Sequence, residues 1–136
     1  MRLVFDTSTL IGCLLKPGSV PSQALAAAMQ AGDLFVSAET LKELEDVLSR
    51  DYLAKRRSLE QRAGFLRLYR EACIQLEHVA DVKACRDPKD DKFLALSQSC
   101  EAHLLLSSDR DLLDMNPFGV TQIITAAEFL QRLRPA

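Results

Sequence analysis

Nothing in the 136-residue sequence approaches the roughly 20 consecutive apolar residues that cross a bilayer, so no transmembrane helix and no membrane role are expected. There is no Cys-x-x-Cys pair and no Cys/His cluster. The cysteines (Cys13, Cys73, Cys85, Cys100) are scattered, which argues against a zinc site and, in a reducing compartment, for buried thiols over disulfides. His78 and His103 stand alone and read as structural. A net charge of −2 gives no overall attraction to nucleic acid, although a local asymmetry is hidden in that average. Low-complexity segments, linkers and internal repeats are lacking, so the expectation is one domain over residues 1–136. The opening "MRLVFDTSTLIGCLLK" has an acid at position 6 and lacks a small-residue cleavage pattern, which argues against a secretory signal and for a cytoplasmic protein. What is present in quantity is apolar material: a hydrophobic content of 48% beside 26% charged residues suffices for a buried core without staples.

That material falls into alternating short strands and helices. "RLVFD" at 2–6 reads as a strand ending in an acid, followed by a helix over "TSTLIGCLLK" with Thr7 or Ser8 as N-cap. "SQALAAAMQAG" reads as a helix stopped at Gly32, and "LFVS" at 34–37 as a strand. Leu41, Leu44 and Leu48 carry the spacing of an amphipathic helix. "SLEQRAGFLRLYREACIQL" reads as a further helix, interrupted only by Gly64. "DDKFLALSQSCEA" is helical, "HLLLSSD" a buried strand ending in an acid, "VTQIIT" a last strand, and "AAEFLQRL" a closing helix whose end Pro135 marks. Such alternation predicts an α/β layer fold around a mostly parallel sheet.

On that map the acids fall unevenly. Asp6 and Asp109 both follow apolar strands, and in a parallel sheet those ends share the edge where α/β proteins place their sites. Glu43 lies on the helix after the second strand, and Asp91 opens the helix that leads to Asp109. Each has an ordinary alternative: Asp6 as a helix cap, Glu43 on a solvated face, Asp87, Asp90 and Asp91 at a helix N-terminus, Asp109 and Asp111 in a turn. Together they can converge on one cleft. Carboxylates brought together repel unless a cation joins them, and an all-oxygen donor set suits Mg²⁺ or Mn²⁺. The chemistry that follows is metal-assisted attack of water on a phosphodiester.

"LVFDTSTLIGCLL", "VSAETLKELEDVL", "CRDPKDDKFLALSQ" and "LLLSSDRDLLDM" resemble, in order and spacing, the successive acidic motifs of the PIN domain family, and of its VapC-like toxins in particular. The resemblance implies a three-layer α/β/α sandwich with a mostly parallel sheet and a Mg²⁺- or Mn²⁺-dependent ribonuclease site. Carried over by position, the metal-binding and catalytic acids are Asp6, Glu43, Asp91 and Asp109, with Asp90 the runner-up for the third place and Asp111 a peripheral ligand. Asp87 and Asp90 are then left to start the helix. Two positions depart from the usual pattern: Ser8 stands where an amide is common, and Ser107 where Thr is frequent. Both keep a hydroxyl that can support a carboxylate. The resemblance also implies an RNA substrate, a cognate antitoxin protein and a homodimer.

Residues 50–70 supply seven cations (Arg50, Lys55, Arg56, Arg57, Arg62, Arg67, Arg70) against Asp51 and Glu60. Lys55, Arg56, Arg62 and Arg67 are therefore the candidate contacts to an RNA backbone, the alternative being a solvated helix face with routine ion pairs. Phe65 and Tyr69 have the spacing of core residues rather than of a base-stacking platform. Two further readings compete with the nuclease. A catalytically silent PIN-like module would bind RNA or protein without cutting. Aspartyl-phosphate chemistry of the dehalogenase-like phosphatases would need an acid at position 8, where Ser8 stands.

Overall fold

In the computed structural model, which describes residues 1–134, five strands lie side by side: β1 (Arg2–Phe5), β2 (Asp33–Ser37), β3 (Cys73–Leu76), β4 (Leu104–Leu106) and β5 (Gln122–Ile124). Their pairings are parallel, in the order β3-β2-β1-β4-β5. Helices α1 (Thr7–Leu15) and α2 (Val20–Ala31) link β1 to β2, and α3 (Ala38–Leu48), α4 (Asp51–Ala54) and α5 (Leu59–Ala72) link β2 to β3. The return across the sheet to β4 uses a 3-10 turn (Pro88–Asp90) and α6 (Asp91–Ser99). Helix α7 (Arg110–Leu113) precedes β5, and α8 (Ala126–Leu133) follows it. The expected stop signal at Pro135 lies outside the described residues.

The period-2 alternation of the strands gives the sandwich its three layers. Leu3, Phe5, Leu34, Val36, Leu104, Leu106 and Ile124 face one side, where they pack against α1, α2, α3 and α8. Val4, Leu105 and Ile123 face the other side and meet Phe93, Leu94 and Leu96 of α6 and Leu112 of α7. Strands buried on both faces read as unbroken apolar runs, which is how "LVF" and "LLL" appear in the sequence. Among the described residues no helix is long and apolar enough to cross a membrane.

Three local expectations are corrected. The cap of α1 is Asp6, whose side chain accepts the Thr9 N–H, rather than Thr7 or Ser8. The helix expected through Leu76 ends at Ala72, and "CIQL" forms the edge strand β3 beside β2. Gly32 does end α2, but in an extended conformation; glycine is needed there because a Cβ would lie 2.1 Å from the Met1 carbonyl oxygen. All four cysteines are unpaired thiols; Cys13 and Cys100 are buried, as expected, whereas Cys73 and Cys85 are half-buried, and burial pushes Cys13 and Cys73 up to about 12.

Candidate functional site

Strand β1 is central. The chain leaves it toward β2 on one side, while β4 enters on the other, so the direction of winding reverses between β1 and β4. Helices diverge from such a switch point and leave a crevice at the carboxyl ends of the strands. Asp6 is the first residue after β1, and Asp109 follows β4 by three residues. The Asp6 N–H donates to the Leu106 carbonyl (3.0 Å) and the Ser107 N–H to that of Ile124 (3.0 Å), which continues the ladder to the rim and sets these residues side by side.

Ser107 joins the two acids. Its hydroxyl donates to Oδ2 of Asp6 and accepts the Asp109 N–H at 2.9 Å. Asp6 is buried; Oδ1 accepts the Thr9 N–H (2.9 Å) and Oδ2 the Ser8 hydroxyl (3.0 Å), which also lies 2.9 Å from that of Ser108. Burial raises the Asp6 carboxyl above its ordinary value, and the hydrogen bonds from Ser107, Thr9 and Ser8 offset part of that rise. A single carboxylate thus serves both as helix cap and as the buried end of a hydroxyl network.

The tandem aspartates are oriented differently from one another. Asp87 caps the 3-10 turn, accepting the Lys89 N–H at 3.0 Å. Asp91 turns its Oδ1 to the backbone N–H groups of Ala84 (3.0 Å) and Cys85 (2.7 Å), fastening the segment after β3 to the start of α6. Asp90 is the acid that faces Asp109; it is 8% exposed, and its Oδ2 is buried with no hydrogen-bond partner. Burial, then the charges of Asp109, Asp87 and Asp6, push its carboxyl up to about 7. The cause of the difference is the 3-10 turn: Pro88 starts it, so Asp90 is already wound into helical backbone when α6 begins, and one residue further on points about 100° away.

The other predicted acids are answered by cations. Asp111, whose carboxylate groups with those of Asp87 and Asp90 within 4.8 Å, pairs with Arg86 at 2.9 Å, and Arg86 also holds Asp114 at 2.6 Å. Glu43, on α3, is outside that group, as are Asp6 and Asp109, and pairs with Lys92 at 2.9 Å. Arg86 and Lys92 are the functional candidates that sequence reasoning missed; both stand within a few residues of the aspartates they serve or flank, the one available signal.

Beside the acids, a cavity of about 890 Å³ opens between the start of α3, the segment after β3 and α6, with Pro88, Asp91 and Lys92 on its wall. The basic segment is used differently from expectation. Arg57 donates to the Leu14 and Leu15 carbonyls and Arg62 to the Leu48 carbonyl, so both cap helix ends that run away from the acidic rim. Lys55, Arg56 and Arg67 are exposed. Tyr69 is buried and stacks on Phe65 with ring centroids 6.5 Å apart, as core residues do.

Does this donor set fit a hard cation? The unpartnered buried oxygen of Asp90, with Asp109 beside it and Asp6 nearby, is a concentration of negative charge that no cation among the described residues pairs with directly. All its donors are oxygens, as Mg²⁺ and Mn²⁺ require. The residues fit.

A family described as the PIN domain matches residues 2–111. No curated protein matches the chain by sequence. Among solved structures, it is similar to VapBC2 from Rickettsia felis, crystallised bound to a DNA fragment from their promoter. Identity is 12%, the TM-score 0.63, and the match covers 90% of this chain and 98% of that one. It is also similar to PAE2754 from Pyrobaculum aerophilum, with 13% identity, a TM-score of 0.64, and coverage of 96% and 88%. At these identities the two structures speak for the fold.

Proposed function

Since the chain belongs to the PIN domain family, we propose that it is a Mg²⁺- or Mn²⁺-dependent endoribonuclease that hydrolyses phosphodiester bonds of single-stranded RNA. The observation that carries this reading is the buried, unpartnered Oδ2 of Asp90 facing Asp109 at the switch point beside Asp6. Asp6, Asp90 and Asp109 are the residues that would hold the ion, with Asp111 peripheral because Arg86 occupies its Oδ1. A bound ion would supply Lewis acidity toward a phosphate oxygen and an activated water.

The chain's own groups do the rest. Ser107 fixes Asp6 relative to the backbone of Asp109, and Ser8 donates to the same Asp6 oxygen, Oδ2. Asp91 acts on the wall of the cavity, by tying down residues 84 and 85, rather than at the acids themselves. The cavity beside the acids has room for nucleotides flanking the scissile bond. Lys55, Arg56 and Arg67 are the remaining candidates for contact with the RNA backbone, and Arg62 is withdrawn from that set by its hydrogen bonds to carbonyls. The likeness to VapBC2 supports a toxin role opposite a cognate antitoxin.

The test is cleavage of an end-labelled single-stranded RNA by purified protein with Mn²⁺, Mg²⁺ or EDTA, with Asp6→Asn as the control for contaminating nuclease. Cleavage that needs both metal and Asp6 supports the reading. Cleavage in EDTA, or by Asp6→Asn at the wild-type rate, contradicts it.

A further inference from the structure

The two acids that face each other at the rim each have a cation as chain neighbour: Lys89 precedes Asp90, and Arg110 follows Asp109. Both side chains are exposed, and neither forms an ion pair among the described residues. Other cations at the site are already engaged, Arg86 with Asp111 and Asp114, and Lys92 with Glu43. The backbone under Lys89 is fixed on both sides. Its N–H donates to Asp87 Oδ1 (3.0 Å), and its carbonyl accepts from the Lys92 ammonium (2.7 Å). Arg110 opens α7, where its carbonyl accepts the Asp114 N–H at 2.9 Å. Two uncommitted cations thus project from fixed positions, each one residue from an acid of the centre.

Other places in the molecule serve phosphates less well. Lys55 and Arg56 stand next to Arg57, which binds carbonyls at the far end of α1. That nine-residue helix starts at the rim and carries its end roughly 13 Å away. On the cavity wall, Glu39, Glu77, Asp81 and Asp91 outnumber Lys83 and Lys92, so the cavity suits bases better than phosphates. Carboxylates at the rim repel any phosphate that lacks a cation of its own. An ion at the acids answers the scissile group, and the phosphates beside it need charges within reach of the same rim.

We propose that Lys89 and Arg110 hold the two backbone phosphates that flank the scissile phosphodiester, one on each side, and so align the RNA strand across the acids. This rests on the nuclease reading of the same site and deepens it by naming the cations that position the substrate. Both are positioning residues. They bind phosphate oxygens and carry no base preference, while Lys55, Arg56 and Arg67 meet only nucleotides farther along the strand.

The experiment is single-turnover cleavage of an end-labelled, randomised pool of RNA about eight nucleotides long, a length within the usual reach of one single-strand site. Rates in Mn²⁺ are followed against protein concentration and salt, giving a half-saturating concentration and its salt slope. The wild type is compared with Lys89→Met, Arg110→Met, Lys89→Arg, Arg110→Lys and Lys55→Met, each shown to be folded by thermal unfolding. Losing one phosphate contact to a single strand lowers the slope of log affinity against log salt by about 0.7, or about fivefold in affinity at roughly 0.1 M salt. That loss is expected in Lys89→Met and in Arg110→Met, with most of it restored in Lys89→Arg and Arg110→Lys. Mn²⁺ affinity by calorimetric titration should not fall in either methionine variant, because a positive charge beside the carboxylates has been removed. Unchanged RNA affinity and slope in both methionine variants, with the wild type still cutting, would overturn the proposal and leave the nuclease in place. An equal loss in Lys55→Met would overturn it too, by showing diffuse attraction in place of positioned contacts. A wild type that does not cut the pool would instead overturn the nuclease reading, and this proposal with it.

Discussion

Two adjacent aspartates show how much a single residue decides. Asp90 and Asp91 have the same side chain and the same neighbours in sequence, yet one is buried against Asp109 and the other secures a loop. The raised value of Asp90, about 7 against the ordinary 3.8, has a consequence for the metal-free protein. Between pH about 4 and about 7 the folded chain retains a proton that the unfolded chain has released, so stability is full below the unfolded value and falls as pH rises through the folded one. Asp6, also raised, adds in the same direction. The expected result is a thermal midpoint in EDTA that declines from pH 5 to pH 8, with most of the decline removed in Asp90→Asn. A midpoint equally pH-dependent in that variant would show that Asp90 is not the strained group. That an acidic site existed here was legible in the sequence, since Asp6 and Asp109 end apolar strands. Which of the tandem aspartates faces Asp109 was not, because the answer depends on the phase of a 3-10 turn begun by Pro88, and residue spacing does not encode that phase.

At the scale of elements, the strands and helices buried on a full face announced themselves, while β3 did not. Cys73–Leu76 follows α5 without a breaker and lies at the sheet edge, with Ile74 and Gln75 exposed and Cys73 and Leu76 half-buried. Its apolar residues therefore continue the helical spacing as well as they begin a strand. The basic segment is a second case: charge counting offers Arg57 and Arg62 to a ligand, but unsatisfied carbonyls at the ends of α1 and α3 claim them first. Arg62→Ala should then cost about 1.5 kcal/mol of stability in denaturant unfolding, from lost charge-assisted hydrogen bonds. It should leave Mn²⁺ affinity unchanged. A loss of RNA affinity with no loss of stability would return Arg62 to the nucleic-acid interface.

Across the whole molecule, the position of the centre follows from topology. Because β1 lies between β2 and β4 and the winding reverses there, the first acid of the chain and one more than a hundred residues later share a rim. Helix α6, packed on the opposite face from α1, brings Asp90 to it from the return crossing. Neither core layer alone would assemble the three acids. Asp90 is the third member of the proposed centre, and the most direct test is the Mn²⁺ affinity of Asp90→Asn beside Asp91→Asn, each measured by calorimetric titration on folded protein. Loss of binding in Asp90→Asn with near wild-type binding in Asp91→Asn is the predicted result. The reverse order, or wild-type binding in both, would contradict it.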